Sequence, residues 1–532
     1  MIPQAGKAGT KQAESALAYS AEEVNGHWES AMNSALTQRY AERMHGVLSC
    51  YDRILIGGTL PGVCYAEGMS SFLHANGIRI FDYTQFVEPL RERIRLNAHA
   101  LAEDGGIAIE FIAKKNIRKE EVVAAVLKTR GEHPGLVHIL SAMESCTSYK
   151  PWHDKASGRT YLRGDTGKCL HYYFYFIDAE LGLCFLRVPT WAPFRLQFYC
   201  NGHSWLARQL TREGIAFATA DNAFLRIDEL PRAQLLADSF KPDDLHRALD
   251  RYAHQCCPVL DLFDHGYHWS LMQTEYSTDL MFKSEATLKP LYEQLSRNAV
   301  LAVKAPQVMS FLGKKITPQL KEELGSRLST RIEGTCIKHQ VGPVSIKMYD
   351  KFERVLRIET TVNDVSFFKH HREVEHKDRP PTREIAAVKK SIYSLIDLRE
   401  ILLSCNARYL EFLSALADHS DGARKLDRLS RPKHDGQHTV RGLNLFSAME
   451  RKLLQTLQRP EFNIRGMQRA DLLEHLPELS ASRMSRQIKR LRLFGLIKRV
   501  TGTYHYYLTK LGRATAVACA CITEFVLKPA LS

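Results

Sequence analysis

Short β-prone runs alternate with helical repeats along most of the chain, and this alternation predicts a mixed α/β fold. The densest part lies between residues 171 and 220. It contains four β-prone runs, HYYFYFID (171–178), LCFLRV (183–188), RLQFYC (195–200) and IAFATA (215–220), with a helix over residues 203–212 before the last run. A further helix is predicted over residues 267–282. The middle of the chain is therefore expected to fold as a layered α/β core.

Strand, strand, strand, helix, strand is the opening order of the ribonuclease H-like fold, in which the fourth strand lies beside the first. The run FIDAELG resembles the first strand of RuvC-type and transposase-type nucleases, and IAFATADN resembles the second-acid strand of transposases. The resemblance implies that Asp178, Asp221 and Glu275 bind Mg²⁺ or Mn²⁺ and act in catalysis. Asp279, one turn after Glu275 on the predicted helix, competes with Glu275 for the third position.

A second group of polar residues lies in residues 331–364, which are predicted to form three strands. The alternation puts Val344, Ile346, Met348, Leu356, Ile358 and Val362 on one face and Ser345, Lys347, Tyr349, Arg357 and Glu359 on the other. The phrase SIKMYDK…VLRIE is similar to a strand pair of rolling-circle replication initiators. That similarity implies a DNA-nicking protein with a nucleophilic tyrosine, for which the candidates are Tyr349, Tyr393 and Tyr409. The alternatives are a charged cross-strand face without chemistry and a basic surface that holds a nucleic-acid backbone.

The N-terminal part offers a third candidate site. Residues 45–62 are β-rich and contain Asp52, and two further strand candidates cover residues 106–113 and 135–143. A nuclease site could combine Asp52 with Glu110 and Glu144. Gly57-Gly58 is too short for a phosphate loop, so nucleotide binding of that type is not predicted.

Net positive charge is concentrated at the C-terminal end of the chain. Residues 421–532 contain 21 Lys and Arg against 9 Asp and Glu, whereas residues 1–420 contain 52 against 50. A domain with this imbalance is expected to bind a polyanion. Helical spacing predicts a helix from Leu443, a second over residues 467–476 and a third capped by Ser480, before a β-hairpin around residues 501–503.

This order predicts a winged helix-turn-helix domain whose third helix enters a DNA groove. The stretch GLIKRVTGTYHYYLTKLGRA resembles the wing of MarR-type regulators. The predicted DNA-binding residues on the third helix and the wing are Ser482, Arg483, Arg486, Gln487, Lys489, Arg490, Lys498 and Arg499. Double-stranded DNA is the expected partner, with RNA as the alternative, and a homodimer is left open.

Composition sets the remaining expectations. The chain is long enough for several domains, and its 45% hydrophobic content suits a large core. Twelve cysteines without metal-ligand spacing predict buried thiols in a cytoplasmic protein. Neither a signal peptide nor a transmembrane run is evident, so no membrane partner is expected. The predicted ranges are a flexible arm (1–25), an α/β domain (26–165), the ribonuclease H-like core (166–300), an antiparallel sheet with helices (301–418), a linker (419–442) and the winged helix (443–532).

The phrases YFYFIDAELG, CNGHSWLARQL and SIKMYDKFERVLRIETTVND also resemble an abundant, poorly characterised bacterial protein family, which implies a bacterial source. Two functions then compete. The first is a Mg²⁺-dependent nuclease or recombinase of mobile-element type, or a transposase, that acts on DNA. The second is a non-enzymatic winged-helix transcriptional regulator whose large N-terminal part senses a ligand or mediates assembly. A replication-initiator-like nicking protein is the third.

Overall fold

The computed structural model describes residues 34–113, 117–263, 265–314, 328–417 and 420–531. The contacts within the chain divide it into two compact units, Met1–Ala417 and Asp418–Ser532. The predicted flexible arm, residues 1–25, lies outside the described residues. Each unit is considered by itself below.

The first unit is built mainly from strands. Its strands are β1 (Met44–Thr59), β2 (Ile109–Phe111), β3 (Gly135–Asp154), β4 (Arg159–Asp178), β5 (Gly182–Pro189), β6 (Leu196–Asn201), β7 (Phe217–Ala220), β8 (Ala223–Ile227), β9 (His268–Phe282), β10 (Leu328–Glu333), β11 (Cys336–Val341), β12 (Val344–Lys351), β13 (Val355–Val362), β14 (Lys369–Val374) and β15 (Thr382–Ala387). Its α-helices are α1 (Ala35–Tyr40), α2 (Ala66–Ala75), α3 (Tyr83–Asp104), α4 (Lys119–Arg130), α5 (Gly202–Arg212), α6 (Leu230–Asp238), α7 (Pro242–Cys256), α8 (Glu285–Ala302), α9 (Ala305–Phe311) and α10 (Leu395–Ala417).

Within the described residues, eleven of these strands form one sheet in the order β10-β11-β12-β13-β9-β1-β6-β5-β4-β3-β2. Neighbouring strands run antiparallel except β2 and β3, which run parallel. The protein is therefore a mixed α/β protein with a large, mostly antiparallel sheet. β1 and β9 are its central strands, because each is paired along both edges.

The two faces of this sheet are covered differently. One face packs against α2, α3, α7, α8 and α10 and forms the largest hydrophobic core. The opposite face has two smaller cores. One lies under α5, β8 and α6 at β1, β9 and β13, and the other lies under α4 at β3 and β4. We call this second face the polar face, because charged side chains lie between its two apolar patches.

Two predictions for the middle of the chain are wrong. Residues 268–282 form strand β9 and not a helix. Glu275 and Asp279 still share a face, because a spacing of four residues also keeps side chains on one side of a strand. The strand Phe217–Ala220 exists, but it pairs with β8 in a separate hairpin and does not reach β4. The free edge of β4 is occupied by β3, which pairs with it along nineteen residue pairs, so the expected ribonuclease H-like strand order is not found.

The predicted antiparallel sheet in residues 331–364 is confirmed, with four strands, β10 to β13, where three were expected. The predicted faces are also correct: Val344, Ile346, Met348, Leu356, Ile358 and Val362 lie in the largest core. Strands from the ranges 26–165, 166–300 and 301–418 all join the one sheet. Those ranges are consequently parts of one unit and not three separate domains.

The second unit is smaller and mainly helical. Its elements are α11 (Ser420–Ser430), β16 (Lys433–Asp435), β17 (His438–Val440), α12 (Ala448–Thr456), α13 (Pro460–Arg465), α14 (Arg469–His475), α15 (Ala481–Leu493), β18 (Ile497–Arg499), β19 (Tyr506–Leu508), α16 (Lys510–Cys521), a π-helical turn (Ile522–Leu527) and α17 (Lys528–Leu531). The predicted third helix is α15, and Ser480 caps it by accepting a hydrogen bond from the Arg483 amide. The predicted wing strands are β18 and β19. The range 419–442, expected as a linker, contains α11 and the β16–β17 hairpin.

One helical stretch of the second unit was not expected. Residues Lys510–Leu531 are long and apolar enough to cross a membrane by length and composition alone. Ala516 and Cys519 at its start are buried in the core of this unit, whereas Phe525 and Leu531 are exposed. The stretch therefore begins as a core helix and ends as an exposed apolar surface.

Candidate metal centre on the polar face

An irregularity in β1 brings charged side chains together at the centre of the sheet. Tyr51 is paired with Tyr276 and Ile54 with Thr274, so Asp52 and Arg53 together oppose the single residue Glu275. Such a bulge redirects side chains, and here both residues of the bulge face the same neighbour. Arg53 Nε lies 3.6 Å from Glu275 Oε2, and a carboxylate oxygen of Asp52 lies within 4.8 Å of one of Glu275.

The start of α5 adds a histidine to this region. Asn201 ends β6, and its side-chain oxygen caps α5 by accepting hydrogen bonds from the amides of His203 and Ser204 at 2.9 and 3.1 Å. A Cβ atom on Gly202 would lie 2.1 Å from the backbone oxygen of Tyr51. Only glycine therefore lets the helix start this close to β1, and His203 is buried against the sheet as a result.

Asp52, His203, Asp279 and Arg357 form a buried charged group that we call the quartet. The Arg357 side chain is fully buried and donates from Nε and Nη2 to the two Asp279 oxygens at 2.7 and 2.6 Å. It also donates from Nη1 to Asp52 Oδ2 at 2.9 Å. The His203 ring lies 3.4 Å from Asp52 through Nδ1 and 3.3 Å from Asp279 through Nε2. Two carboxylates thus share one guanidinium and one imidazole.

These contacts determine the charge states of the quartet. Burial opposes ionisation of Asp52 and Asp279, but the Arg357 charge outweighs it and holds the pKa of both carboxyls below the usual range. Burial and the Arg357 charge oppose a charge on His203, but the interactions with Cys50, Asp279 and Asp52 outweigh them and raise its pKa well above the ordinary value. A proton on His203 would make the quartet electrically neutral, which is the least costly state for a buried group. His203 Nε2 also lies 2.9 Å from Arg357 Nη2.

Asp52 also belongs to a second group, the carboxylate triad of Asp52, Glu275 and Glu359. One oxygen of each lies within 4.8 Å of the other two, and no other set of three acidic, histidine or cysteine side chains in the described parts of the chain meets this criterion. Asp52 and Glu359 are buried, and the Glu275 side chain is 14% exposed. The triad therefore reaches solvent only at Glu275.

Lys347, Tyr349 and Thr361 contact the triad from β12 and β13. Lys347 Nζ lies 2.6 Å from Glu359 and 3.2 Å from Glu275, and Tyr349 donates its hydroxyl to Glu359 at 2.6 Å. Burial and the neighbouring Glu359 charge raise the pKa of Glu275. The pKa of Tyr349 is raised by burial and by the same carboxylate, so Tyr349 is a neutral phenol near pH 7.

The predicted metal ligands Asp178, Asp221 and Glu275 do not converge. Asp178 ends β4 and caps the following turn, where it accepts hydrogen bonds from the amides of Glu180 and Leu181 at 2.8 and 3.0 Å. The Asp221 side chain is 78% exposed and lies 3.9 Å from Lys351. Glu275 is the one member of the predicted set that lies in the triad, where its partners are Asp52 and Glu359. Asp279, the other predicted catalytic acid, is engaged by Arg357.

Other sequence-based candidates lie apart from the triad. Glu144 on β3 pairs with Lys119 of α4 and Arg187 of β5, and Glu110 contacts His138. Tyr393 is exposed, and Tyr409 is buried against His339.

The structure also corrects one of the predicted DNA-binding residues. Ser482, Arg483, Arg486, Lys489, Lys498 and Arg499 are exposed, and Gln487 is partly buried. Arg490 is only 5% exposed. Its Nη1 atom lies 3.0 Å from Glu450 Oε1, and its Nε atom donates to the Arg441 carbonyl at 3.0 Å. Arg490 therefore lies inside the second unit and not on the exposed face of α15.

Nothing in the sequence indicated that His203 and Asn222 belong to the site. The Asn201-Gly202 pair indicated only the end of a strand, although an Asn cap followed by a close-packed glycine is the feature that positions His203. Asn222 donates to Asp52 at 2.8 Å, and nothing in its surroundings along the chain pointed to that contact. No family model, curated protein or solved structure matches the chain.

Proposed function

We propose that this protein is a DNA-processing enzyme that cleaves phosphodiester bonds with a divalent cation held by Asp52, Glu275 and Glu359. The convergence of these three carboxylates at the centre of the sheet is the observation that carries the proposal. Donor sets made only of oxygen suit Mg²⁺ and Mn²⁺. A cation bound there would polarise a phosphoryl oxygen and lower the pKa of a bound water.

The electrostatics of the triad favour a cation. Burial and, after it, the Glu359 charge raise the pKa of Glu275, because the two carboxylates repel each other where solvent access is low. Lys347 contacts both and relieves part of the repulsion. Asp52 is held in its charged form by Arg357. A divalent ion at the solvent-facing side of Glu275 would complete the neutralisation that Lys347 begins.

The second unit supports DNA as the substrate. Four helices, α12 to α15, precede the β18–β19 hairpin. Apart from the short α13, this is the element order of a winged helix-turn-helix domain, and we infer that α15 is its recognition helix. Arg483, Arg486 and Lys489 are exposed on α15, and Lys498 and Arg499 are exposed on β18. Duplex DNA binding by these cations would bring the substrate to the protein, while cleavage would depend on the triad in the other unit.

A nicking reaction with a tyrosine nucleophile is the second candidate. The observation that favours it is the 2.6 Å hydrogen bond between the Tyr349 hydroxyl and Glu359. In this variant Glu359 accepts the phenol proton while the tyrosine oxygen attacks phosphorus, the 3′ or 5′ oxygen of the cleaved strand leaves, and a phosphotyrosine bond forms. Water attack leaves no protein–DNA adduct, so the two candidates differ in a product that can be measured.

The decisive experiment compares Glu275→Gln with Asp221→Asn in the full-length protein. Both remove one carboxylate charge, but Asp221 is exposed and adopts φ 49, a backbone conformation that asparagine tolerates. With Mg²⁺ or Mn²⁺ and supercoiled, linear, branched and single-stranded DNA, we expect Glu275→Gln to lose cleavage by at least about a hundredfold and Asp221→Asn to retain it. Direct Mn²⁺ binding, measured by electron paramagnetic resonance, should weaken only in Glu275→Gln.

Tyr349→Phe separates the two chemical candidates. Loss of cleavage together with a denaturation-resistant protein–DNA adduct in the wild type would favour the tyrosine nucleophile, whereas normal cleavage by Tyr349→Phe would favour water. If the wild type neither binds Mn²⁺ nor cleaves any DNA form, the enzyme proposal is refuted and the transcriptional-regulator alternative takes its place.

A further inference from the structure

A continuous row of aromatic and cationic side chains crosses the polar face beside the triad. Arg53, which contacts Glu275, lies 5.6 Å from the centre of the Tyr199 ring. The Tyr199 ring stacks on Phe185 with centroids 5.2 Å apart and an interplanar angle of 14°. Phe185 contacts Tyr173 at 5.8 Å, and Lys119 lies 3.9 Å over the Tyr173 ring. The row therefore connects β1, β6, β5 and β4 with α4.

The middle of this row is accessible to a ligand. Tyr199 and Phe185 are partly exposed, and the Arg53 side chain is 49% exposed. Arg187 follows Phe185 on the same face of β5; its side chain is 21% exposed, and its Nη2 atom lies 3.0 Å from Glu144 Oε2. Aromatic faces flanked by arginines are the combination that binds unpaired bases by stacking and their phosphates by charge.

A cavity lies beside the middle of the row, two residues along β5 from Phe185 and two along β6 from Tyr199. It has a volume of about 290 Å³ and is lined by Gly57, His171, Arg187, Trp191, Arg195 and Gln197, among others. Arg187 belongs to both the row and the cavity wall. A Cβ atom on Gly57 would lie 3.0 Å from Met272 Sδ, so the glycine keeps the floor of the cavity open. A space of this size, with two arginines and an indole in its wall, suits a nucleotide.

We propose that single-stranded DNA lies across β1, β6 and β5, with bases stacked on Tyr199 and Phe185, phosphates at Arg53 and Arg187, and one nucleotide in the cavity. The path leads to Glu275, so its role in substrate delivery rests on the proposed function of the triad, while strand binding itself does not. The distance from β9 to β5 is three strand spacings, about 14 Å. That distance accommodates about four stacked nucleotides.

The geometry favours a single strand over a duplex. Stacking on Tyr199 and Phe185 needs a free base face, and base pairing and stacking in a duplex hide those faces. RNA offers the same bases and phosphates and differs by its 2′-hydroxyl. Single-stranded DNA and RNA of one sequence are therefore the two arms of the test, and a duplex is the third.

The experiment is photo-crosslinking of the full-length protein in EDTA, where cleavage cannot occur. A 12-nucleotide single-stranded DNA that carries 5-iodouracil is irradiated with the protein, and the crosslinked peptides are mapped by mass spectrometry. We expect crosslinks at Tyr199 or Phe185, with a half-saturating DNA concentration about tenfold higher in Tyr199→Ala. Arg53→Gln should also raise that concentration. Tyr161→Ala is the matched control, because Tyr161 is an exposed strand tyrosine on the β3–β4 hairpin outside the row.

The outcomes separate this proposal from the preceding one. Crosslinks confined to residues 443–532, or equal competition by the duplex, would refute the single-strand path. Stronger crosslinking of the RNA arm would refute DNA as its ligand. Strand binding in EDTA does not depend on a metal ion, so a protein that crosslinks at Tyr199 but never cleaves DNA would refute the metal proposal alone.

Discussion

Replacing Arg357 by methionine tests how strongly this residue stabilises the buried carboxylates of the first unit. The Arg357 side chain is fully buried and contacts Asp52, Asp279 and the Asn222 carbonyl through four hydrogen bonds of 2.6 to 2.9 Å. Methionine fills much of the same space without a charge or a donor. Removing one partner of a buried ion pair costs about 3–5 kcal/mol, because the opposite charge stays buried and uncompensated.

The two carboxylates do not share this cost equally. Asp52 keeps the side-chain amides of Asn201 and Asn222 at 2.7 and 2.8 Å, whereas Asp279 keeps only the His203 ring at 3.3 Å. We therefore expect Arg357→Met to lower the free energy of unfolding by about 4 kcal/mol, mainly through Asp279. The double variant Arg357→Met/Asp279→Leu should be less destabilised than the single variant, because it removes the orphaned charge.

The assay is urea unfolding followed by tryptophan fluorescence. All five tryptophans precede residue 418, so this probe reports on the first unit and not on the second. Arg232→Met is the control, because its paired partner is Glu213 and both side chains are partly exposed. Solvent screens an exposed pair, so its loss should change stability little. A loss in Arg357→Met no larger than in Arg232→Met would refute the reasoning, as would a double variant less stable than the single one.

The remaining predictions concern His203 and the second unit. The raised pKa of His203 means that its stabilising contribution is complete below the unfolded-state pKa of about 6.5 and is lost as pH rises through the folded-state pKa. The difference in unfolding free energy between wild type and His203→Gln should therefore be larger at pH 6 than at pH 10. An equal difference at the two pH values would contradict a charged His203. Arg490→Ala should unfold the second unit more easily, by about 2–3 kcal/mol, because buried Glu450 loses its closest cation and keeps only Arg441 at 3.5 Å and the Asn444 amide among the described residues, as circular dichroism at 222 nm would report. Arg486→Ala should leave that stability unchanged but weaken duplex DNA binding and reduce its salt dependence by about one ion; a loss of stability equal to that of Arg490→Ala would contradict the exposed position of Arg486.

Local alternation was enough to predict most strands and their faces. Val344, Ile346 and Met348 alternate with polar residues on one strand, and Leu356, Ile358 and Val362 share one face of the next, so the buried face could be assigned without knowledge of the partners. The sequence did not predict which strands pair with one another. β1 pairs with β9 across more than 200 residues of sequence, and no local pattern encodes which distant strand completes a sheet. For the same reason the position of Phe217–Ala220 was wrong, because the edge it was expected to occupy belongs to β3.

The site was predicted only in fragments. The sequence predicts Glu275 as a metal ligand, but on a helix, whereas residues 268–282 form a strand. It predicts the correct face for Glu359 but gives that residue no role. It groups Asp52 with Glu110 and Glu144 in an alternative site. Acidic residues are common in strands and helices alike, and none of the three stands out when its own segment is considered alone. The three side chains are close together because β13, β9 and β1 are neighbours in the sheet. Sequence spacing could not supply this, because the three residues come from three distant parts of the chain.

The bulge in β1 connects the two proposals physically. In a regular strand Asp52 and Arg53 would point to opposite faces, and one of them would enter the apolar core under α10. The register shift puts both beside Glu275, so that one residue completes the triad while the next begins the row toward Tyr199. Asp52 is held by buried donors and is fixed, whereas the Arg53 side chain is half exposed and can follow a ligand. A single irregularity of pairing thus sets a rigid anionic ligand next to an adaptable cation, which is the combination that a site for both a metal ion and a phosphate requires.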